Sequence, residues 1–337
     1  MLTNPKMLMF LSTLMVGSLI SVSATSWYGA WMGLEINLLS FIPLTSKTNN
    51  QRMTESALKY FLTQALASTI LLTSIILMSY QTYITNNVSH IMMTTSLALK
   101  LGAGPLHFWM PEVMEGLTWS NCMLLMTWQK LAPLTLMSYF SPNTPLIFLF
   151  IISSVLFGSI GGLNQTSLRK IMAFSSINHA GWLLAAMLCD DASWFLYFNL
   201  YVFLTLMSTA LFNANKLYHF NQTFTNKINP PTKLAIFTSL LSLGGLPPFL
   251  GFLPKWIIIM KMTYSLFILT TMILVMTTLV TLYYYIRISY SAFILLHTNQ
   301  SWTKMVTTPN QEMLATTIII ISLTGLITTP LIINLSF

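Results

Sequence analysis

Apolar stretches of about twenty residues recur along the whole chain, and this repetition constrains the fold more than any other feature. A bilayer core requires about 20 apolar residues per helix, and the chain divides into roughly eleven such spans. They lie near residues 7–24, 27–44, 57–79, 89–108, 118–139, 145–163, 170–189, 193–215, 233–260, 264–286 and 313–333. Most runs exceed strand length and lack two-residue alternation. The sequence therefore predicts an all-α, polytopic transmembrane helical bundle rather than a β-barrel.

Composition agrees with a membrane protein and excludes several function classes. Hydrophobic residues make up 55% of the chain, charged residues only 7%, and the mean hydropathy is +0.70. The net charge is +8, but the basic residues form no clusters larger than pairs. We therefore expect membrane lipids around the chain and no nucleic acid. Cys122 and Cys189 have no metal-ligand spacing, and no GxGxxG or P-loop pattern occurs. We expect no cofactor and no metal in this chain.

Cations between the spans predict the orientation, because Lys and Arg accumulate in inside loops. With the N-terminus inside, the outside segments hold only Lys261, and an odd number of spans places the C-terminus outside. The inside segments hold Lys6, Lys47, Arg52, Lys59, Arg169, Lys170, Lys216, Lys227, Lys233, Arg287 and Lys304. The first span has an alternative reading as a cleaved signal peptide, since Lys6, the following apolar run and Val22-Ser23-Ala24 imitate one.

Two spans are interrupted in similar ways. The fourth contains Lys100-Leu101-Gly102-Ala103-Gly104-Pro105, and the ninth contains a Gly- and Pro-rich run from Gly244 to Pro254, followed by Lys255. Proline removes a backbone donor, and unwound backbone at membrane depth is tolerated only against protein or water. Spans five apart cross in opposite directions, so we expect two inverted repeats, residues 1–140 and 141–297, then a loop and C-terminal helix at 298–337. Two ordinary packing kinks are the alternative.

Four charged side chains fall inside apolar spans: Glu35, Lys100, Lys130 and Lys255. A charge at a helix centre costs roughly 2.5–3.5 kcal/mol, so four cost about 10–14 kcal/mol before pairing. Such a cost predicts proton or ion movement. The alternatives are a structural ion pair for Glu35 and, for Lys255, a side chain that reaches the interface.

Two histidines are weaker candidates for the same chemistry. His107 and His179 lie in apolar spans and titrate near neutral pH. A hydrogen-bonded core histidine is the alternative for each.

Several stretches together resemble the NADH-ubiquinone oxidoreductase chain 2 family, the antiporter-like membrane subunits of mitochondrial respiratory complex I. They are residues 31–37, Lys59 through Gln64, Lys100 through Glu112, Thr127 through Pro133, Arg169 through Trp182 and Gly244 through Trp256. The resemblance covers nearly the whole chain. Antiporter-like subunits generally have about fourteen helices, so we expect a chain short by three at its N-terminus, as in the animal mitochondrial form.

This resemblance implies roles for the four charges and a place for the chain. Glu35 and Lys100 match the family's glutamate–lysine pair, Lys130 its central lysine, and Lys255 the lysine of the exit half-channel. The inside face is then the mitochondrial matrix and the outside face the intermembrane space. NADH, FMN, iron–sulfur clusters and ubiquinone are expected in partner subunits, and the chain is not expected to act as a monomer.

The sequence therefore predicts a core membrane subunit that conducts protons through a buried Glu/Lys relay. Burial disfavours the charged form of a lysine and a nearby carboxylate favours it, so moving Glu35 would switch whether Lys100 holds its proton. With no redox centre in the chain, electron transfer in partner subunits would drive the relay. The alternatives are a subunit of a multisubunit sodium/proton antiporter and a non-conducting structural scaffold.

Overall fold

The computed structural model describes most of the chain, namely residues 5–46, 50–80, 83–140, 144–225, 230–290 and 309–324. Lys47, Lys227 and Lys304 of the inside cations lie outside the described residues. So does the end of the last predicted span.

Helices account for nearly all of the described residues. Their bounds are α1 Pro5–Ser23, α2 Trp27–Thr45, α3 Gln51–Ser79, α4 Tyr83–Leu101, α5 Trp109–Gly116, α6 Trp119–Met126, α7 Trp128–Tyr139, α8 Thr144–Gly161, α9 Leu168–Cys189, α10 Asp191–Ala214, α11 Gln222–Thr225, α12 Pro230–Gly244, α13 Phe252–Tyr264, α14 Ile268–Tyr290 and α15 Pro309–Thr324. The predicted all-α membrane bundle is confirmed.

Each predicted span appears as one helix or as a pair of helices. The pairs are α4 with α5, α6 with α7, and α12 with α13, while α11 is a short turn between spans. Within the described part of the chain, five helices are long and apolar enough to cross a membrane alone, namely α1, α3, α9, α10 and α14. The predicted end of the fourth span at residue 108 is wrong, because the chain unwinds after Leu101 and becomes helical again from Trp109 to Gly116.

The described residues up to Ser154 form one compact unit, and those from Val155 onwards form a second. In the first unit α1 packs on α2, α3 packs on α2, α4 and α5, and α7 packs on α1 and α4. Gly17 and Gly33 let α1 and α2 approach closely, since a Cβ at Gly33 would lie 2.6 Å from Ser21 N and 2.8 Å from Gly17 O.

The first predicted span is an integral part of this unit. Trp128 Nε1 on α7 donates to Ser18 Oγ on α1 at 3.0 Å, and the Tyr139 hydroxyl donates to the Val22 carbonyl at 3.4 Å. These bonds join α1 to α7 within the first unit.

The second unit is built around α9. Its side chains are buried over most of its length, and α10 and α13 pack against it. Helix α12 packs on α10, α14 and α15.

Both proline- and glycine-rich breaks begin with the same hydrogen-bonded motif. Helix α4 ends where Gly102 N–H donates to the Leu99 carbonyl and Ala103 N–H to the Ala98 carbonyl. Helix α12 ends in the same pattern around Gly245. Gly102 and Gly245 adopt φ values of +71° and +83°, the left-handed conformation that this terminator requires and that glycine adopts without strain. The helices therefore stop at these sites, and the alternative of simple kinks is wrong.

Candidate functional site

The first break places Lys100 at a helix end inside the first unit. Lys100 is the next-to-last residue of α4 and is 8% exposed. Carbonyls freed by the break take protein donors: Trp109 Nε1 donates to the Leu99 carbonyl at 3.1 Å, and Ser153 Oγ to the Gly104 carbonyl at 2.7 Å. Protein donors thus satisfy backbone groups at this break, which is one of the two conditions under which unwound backbone is tolerated at membrane depth.

The second break binds Lys255 directly. Lys255 is the fourth residue of α13 and is 5% exposed. Its Nζ donates to the Gly244 carbonyl at 2.7 Å and to the Leu243 carbonyl at 3.3 Å, both at the end of α12. Such terminal carbonyls lack helical partners and carry the negative end of the helix dipole. The alternative of a Lys255 side chain reaching the interface is therefore wrong.

Lys130 is the most buried of the three lysines, at 2% exposed. It lies in the first turn of α7, because the predicted fifth span is interrupted at Thr127, where φ is −109° and ψ is −74°. The sequence predicts no break in this span. Pro133 lies inside α7, where it supplies no backbone donor, but it is not where the helix stops.

A small cavity in the first unit brings Lys100 and Lys130 together. Its volume is about 20 Å³, enough for roughly one water molecule. Both lysines line it. The other lining residues are Leu34, Asn37, Leu38, Tyr60, Gln64, Leu101, Trp109, Met110, Leu125, Gln129 and Pro133.

Glu35 lies beside this cavity on α2. It is half-buried, and its neighbours Leu34 and Asn37 line the cavity while Glu35 itself does not. Glu35 and Lys100 carry opposite charges when both are ionised, and opposite charges attract over longer distances in a low-dielectric interior. Ion pairs among the described residues join other side chains, so Glu35 and Lys100 interact at a distance and not in direct contact.

Three amides and a tyrosine complete the polar wall of the cavity, and sequence analysis missed them as functional residues. Gln129 Nε2 donates to Asn37 Oδ1 at 2.8 Å, and the Tyr60 hydroxyl donates to Gln129 Oε1 at 3.4 Å. Gln64 is the third amide. These residues can be recognised in the sequence, because an amide side chain inside an apolar span needs a hydrogen-bond partner within the protein.

The two candidate histidines lie in different units. His107 belongs to the first break, and its Nδ1–H donates to the Pro105 carbonyl at 3.2 Å. His179 on α9 lies with its Nδ1 2.8 Å from the Tyr197 hydroxyl. His179 thus has a partner within the distance that proton transfer requires.

This arrangement suits the movement of charge between buried groups. Two lysines line a polar cavity in the first unit and one acid lies beside it, while the second unit holds Lys255 on fixed carbonyls. Among the described residues, no group of three or more His, Cys, Asp or Glu side chains could hold a metal ion.

Comparison with protein families identifies two matching regions. Residues 24–282 match the family described as "NADH:quinone oxidoreductase/Mrp antiporter, TM". Residues 282–333 match the family described as "NADH dehydrogenase subunit 2 C-terminus".

Similar proteins and structures agree with these regions. The chain is 54% identical to NADH-ubiquinone oxidoreductase chain 2 of Anopheles gambiae, with 87% of each chain covered, and 50% identical to that of Aedes aegypti, with 96% covered. The fold is similar to a chain of respiratory complex I from Thermus thermophilus, with a TM-score of 0.86 at 21% identity over 97% of this chain and 80% of the other. A chain of the Mrp complex from Dietzia sp. DQ12-45-1b gives 0.82 at 16% identity, over 97% and 76%.

Proposed function

Because the chain belongs to the NADH-ubiquinone oxidoreductase chain 2 family, we propose that it conducts protons within the redox-driven NADH:ubiquinone pump, respiratory complex I. It is a multi-pass protein of the mitochondrial inner membrane and a subunit of this H⁺-translocating oxidoreductase. The match of residues 282–333 to the subunit 2 C-terminus favours this function over a sodium/proton antiporter subunit.

The observation that supports the proton relay is the shared cavity of Lys100 and Lys130 beside Glu35. Burial disfavours a lysine's charge, and the Glu35 carboxylate favours it at Lys100. A movement that changes the separation of Glu35 and Lys100 therefore loads or unloads Lys100, and Lys130 responds to the change across the cavity. Lys255 is the further relay group in the second unit, and His107 and His179 are secondary candidates.

Driving energy comes from the partner subunits in this proposal. NADH, FMN, iron–sulfur clusters and ubiquinone belong to those partners. The chain works in contact with other complex I membrane subunits and with membrane lipids, not as a monomer.

The proposed orientation has the N-terminus in the matrix and the C-terminus in the intermembrane space. Contacts between helix ends support it within each unit. Lys59 on α3 pairs with Glu112 on α5 at 3.0 Å, and both belong to the inside face of the predicted topology. Lys261 on α13 pairs with Asp190 after α9 at 3.0 Å, on the predicted outside face.

The proposed inverted repeats are residues 1–140 and 141–297. Each contains one broken span whose first half ends in the same glycine motif beside a buried lysine. Residues 298–337 then form the loop and C-terminal helix, of which α15 is described.

A double-mutant cycle on Glu35 and Lys100 tests the relay. In the assembled complex, Glu35→Gln and Lys100→Met should each lower proton pumping per NADH oxidised, while the soluble-arm chemistry continues. Because both changes disable one switch, the double variant should be much less than additive. Lys6 is exposed, so Lys6→Met is the matched control: it removes a cation that is not buried.

Three other outcomes would separate the alternatives. Normal pumping by assembled Lys100→Met would refute the relay. Normal pumping by Lys130→Met would support the scaffold. Sodium-dependent exchange without electron-transfer partners would support the antiporter subunit.

A further inference from the structure

Gln64 on α3 lines the cavity that Lys100 and Lys130 share, and its side-chain nitrogen has no partner. The residue is 5% exposed, and Nε2 is buried without a hydrogen bond to the protein. A buried donor left unsatisfied costs about 1–3 kcal/mol, so native proteins pair such groups with protein or ordered water.

The neighbouring polar groups are already engaged with each other. Gln129 bridges Asn37 Oδ1 and the Tyr60 hydroxyl through its two amide atoms. These bonds fix one side of the cavity wall. Gln64 Nε2 makes no such bond, so the partner that it needs must come from the cavity itself.

The cavity has the size and polarity that a single water molecule requires. Its volume of about 20 Å³ exceeds the roughly 10–15 Å³ that one water needs, and a buried water typically makes about three hydrogen bonds. Gln64, Lys100 and Lys130 all line it. These three side chains supply the three partners.

We propose that Gln64 is a positioning residue whose Nε2–H holds one water molecule between Lys100 and Lys130. The inference rests on the proposed proton relay and names the group that completes it. The water oxygen accepts one hydrogen bond from Gln64 and one from the Lys100 ammonium. Its own O–H donates to the neutral amine of Lys130.

Proton transfer through this water is balanced. The Lys100 N–H bond breaks as an O–H bond forms, and the opposite O–H bond breaks as an N–H bond forms on Lys130. The charge moves from one lysine to the other, and the water is regenerated. Gln64 keeps its proton throughout, so it orients the water without reacting.

Gln64→Leu tests the proposal because it removes the donor and keeps the side chain's approximate volume. We expect the number of protons pumped per NADH oxidised to fall by on the order of tenfold or more, because a misplaced reactant is costly. NADH oxidation by the soluble arm should continue. The matched control is Ser68→Ala, one turn along α3, which removes a buried hydroxyl bonded only within its own helix.

A water position gives a second readout that a purely structural role of Gln64 does not predict. A high-resolution map of the wild-type complex should show water density within hydrogen-bond distance of Gln64 Nε2, and the map of Gln64→Leu should lack it. If Gln64→Leu fails to assemble, Gln64→Asn serves as the second variant. Asparagine keeps the amide donor but is one methylene shorter, so the complex should pump at a rate between that of the wild type and zero.

The proposal and the relay fail in distinguishable ways. Loss of pumping in Lys100→Met together with normal pumping in Gln64→Leu or Gln64→Asn overturns the role of Gln64 alone. An absence of water at this position, in a wild-type map that resolves waters elsewhere, overturns it as well. Normal pumping in Lys100→Met overturns the relay itself.

Discussion

Lys100 and Lys255 each lie beside the C-terminal end of a helix that stops inside its unit. Such an end carries about half a negative elementary charge, which stabilises a nearby cation by about 0.3–1 kcal/mol, and up to about 2 kcal/mol when partly buried. Lys255 donates directly to these carbonyls. Backbone dipoles thus help to stabilise both buried charges.

Gly245→Ala should disturb Lys255 without removing it. The alanine would have to adopt a φ of +83°, and its Cβ would lie 3.0 Å from Lys255 Cδ and Nζ. The left-handed conformation costs an L-residue roughly 1–2 kcal/mol. We expect a severalfold loss of proton pumping in the assembled complex, because Lys255 is pushed away from the Gly244 carbonyl.

A Lys255→Met background provides the control for this prediction. There, Gly245→Ala should add little further loss, since the side chain that it displaces is already gone. Fully additive losses would show that Gly245 acts independently of Lys255.

At the scale of elements, proline and glycine predicted two of the three helix breaks. The breaks after Leu101 and Gly244 each contain a glycine in the left-handed conformation. Glycine near proline can be recognised in a sequence as a helix-breaking signal. The break at Thr127 has neither glycine nor proline, and Pro133 lies inside α7. Its cause therefore lies in packing, which the local sequence does not reveal.

The close contact of α1 with α2 gives an element-scale prediction. Gly33→Ala would place a Cβ 2.6 Å from Ser21 N, a backbone atom that cannot rotate away. Overpacking of this kind costs about 1–3 kcal/mol. We expect the assembled complex to lose activity at a lower temperature in a thermal-inactivation series.

Gly29→Ala, about one turn earlier on α2, is the matched control. Its Cβ would meet Ser26 Oγ at 3.3 Å and Ala24 Cβ at 3.4 Å, so the change should be nearly neutral. Equal inactivation temperatures for the Gly33 and Gly29 variants would contradict the packing interpretation.

At the scale of the molecule, the sequence predicted the spans and the buried charges but not the cavity. Hydropathy alone identified the spans, and Glu35, Lys100, Lys130 and Lys255 stand out because charges are costly in lipid. The cavity is lined by residues from α2 through α7, many of which are distant in sequence and meet only through packing. Gln64 is recognised as a candidate functional residue only from its position in this packed cavity.

Cysteine labelling tests the orientation of the whole chain. After Cys122 and Cys189 are replaced by alanine, a cysteine at Asn50, before α3, should react only from the matrix side. A cysteine at the exposed Tyr264, at the end of α13, should react only from the intermembrane space. Labelling of Asn50→Cys from the intermembrane space would show that the span count is wrong.

The small volume of the cavity has a consequence for electrical insulation. A continuous file of water conducts protons passively and would short-circuit the voltage that the membrane stores. A site with room for about one water molecule leaves each further step to a protein side chain. In the proposed relay Lys100 and Lys130 act in series, so a leaking proton would have to bind to and leave both side chains. Enlarging this cavity should therefore raise passive proton leakage even where the coupled reaction still runs.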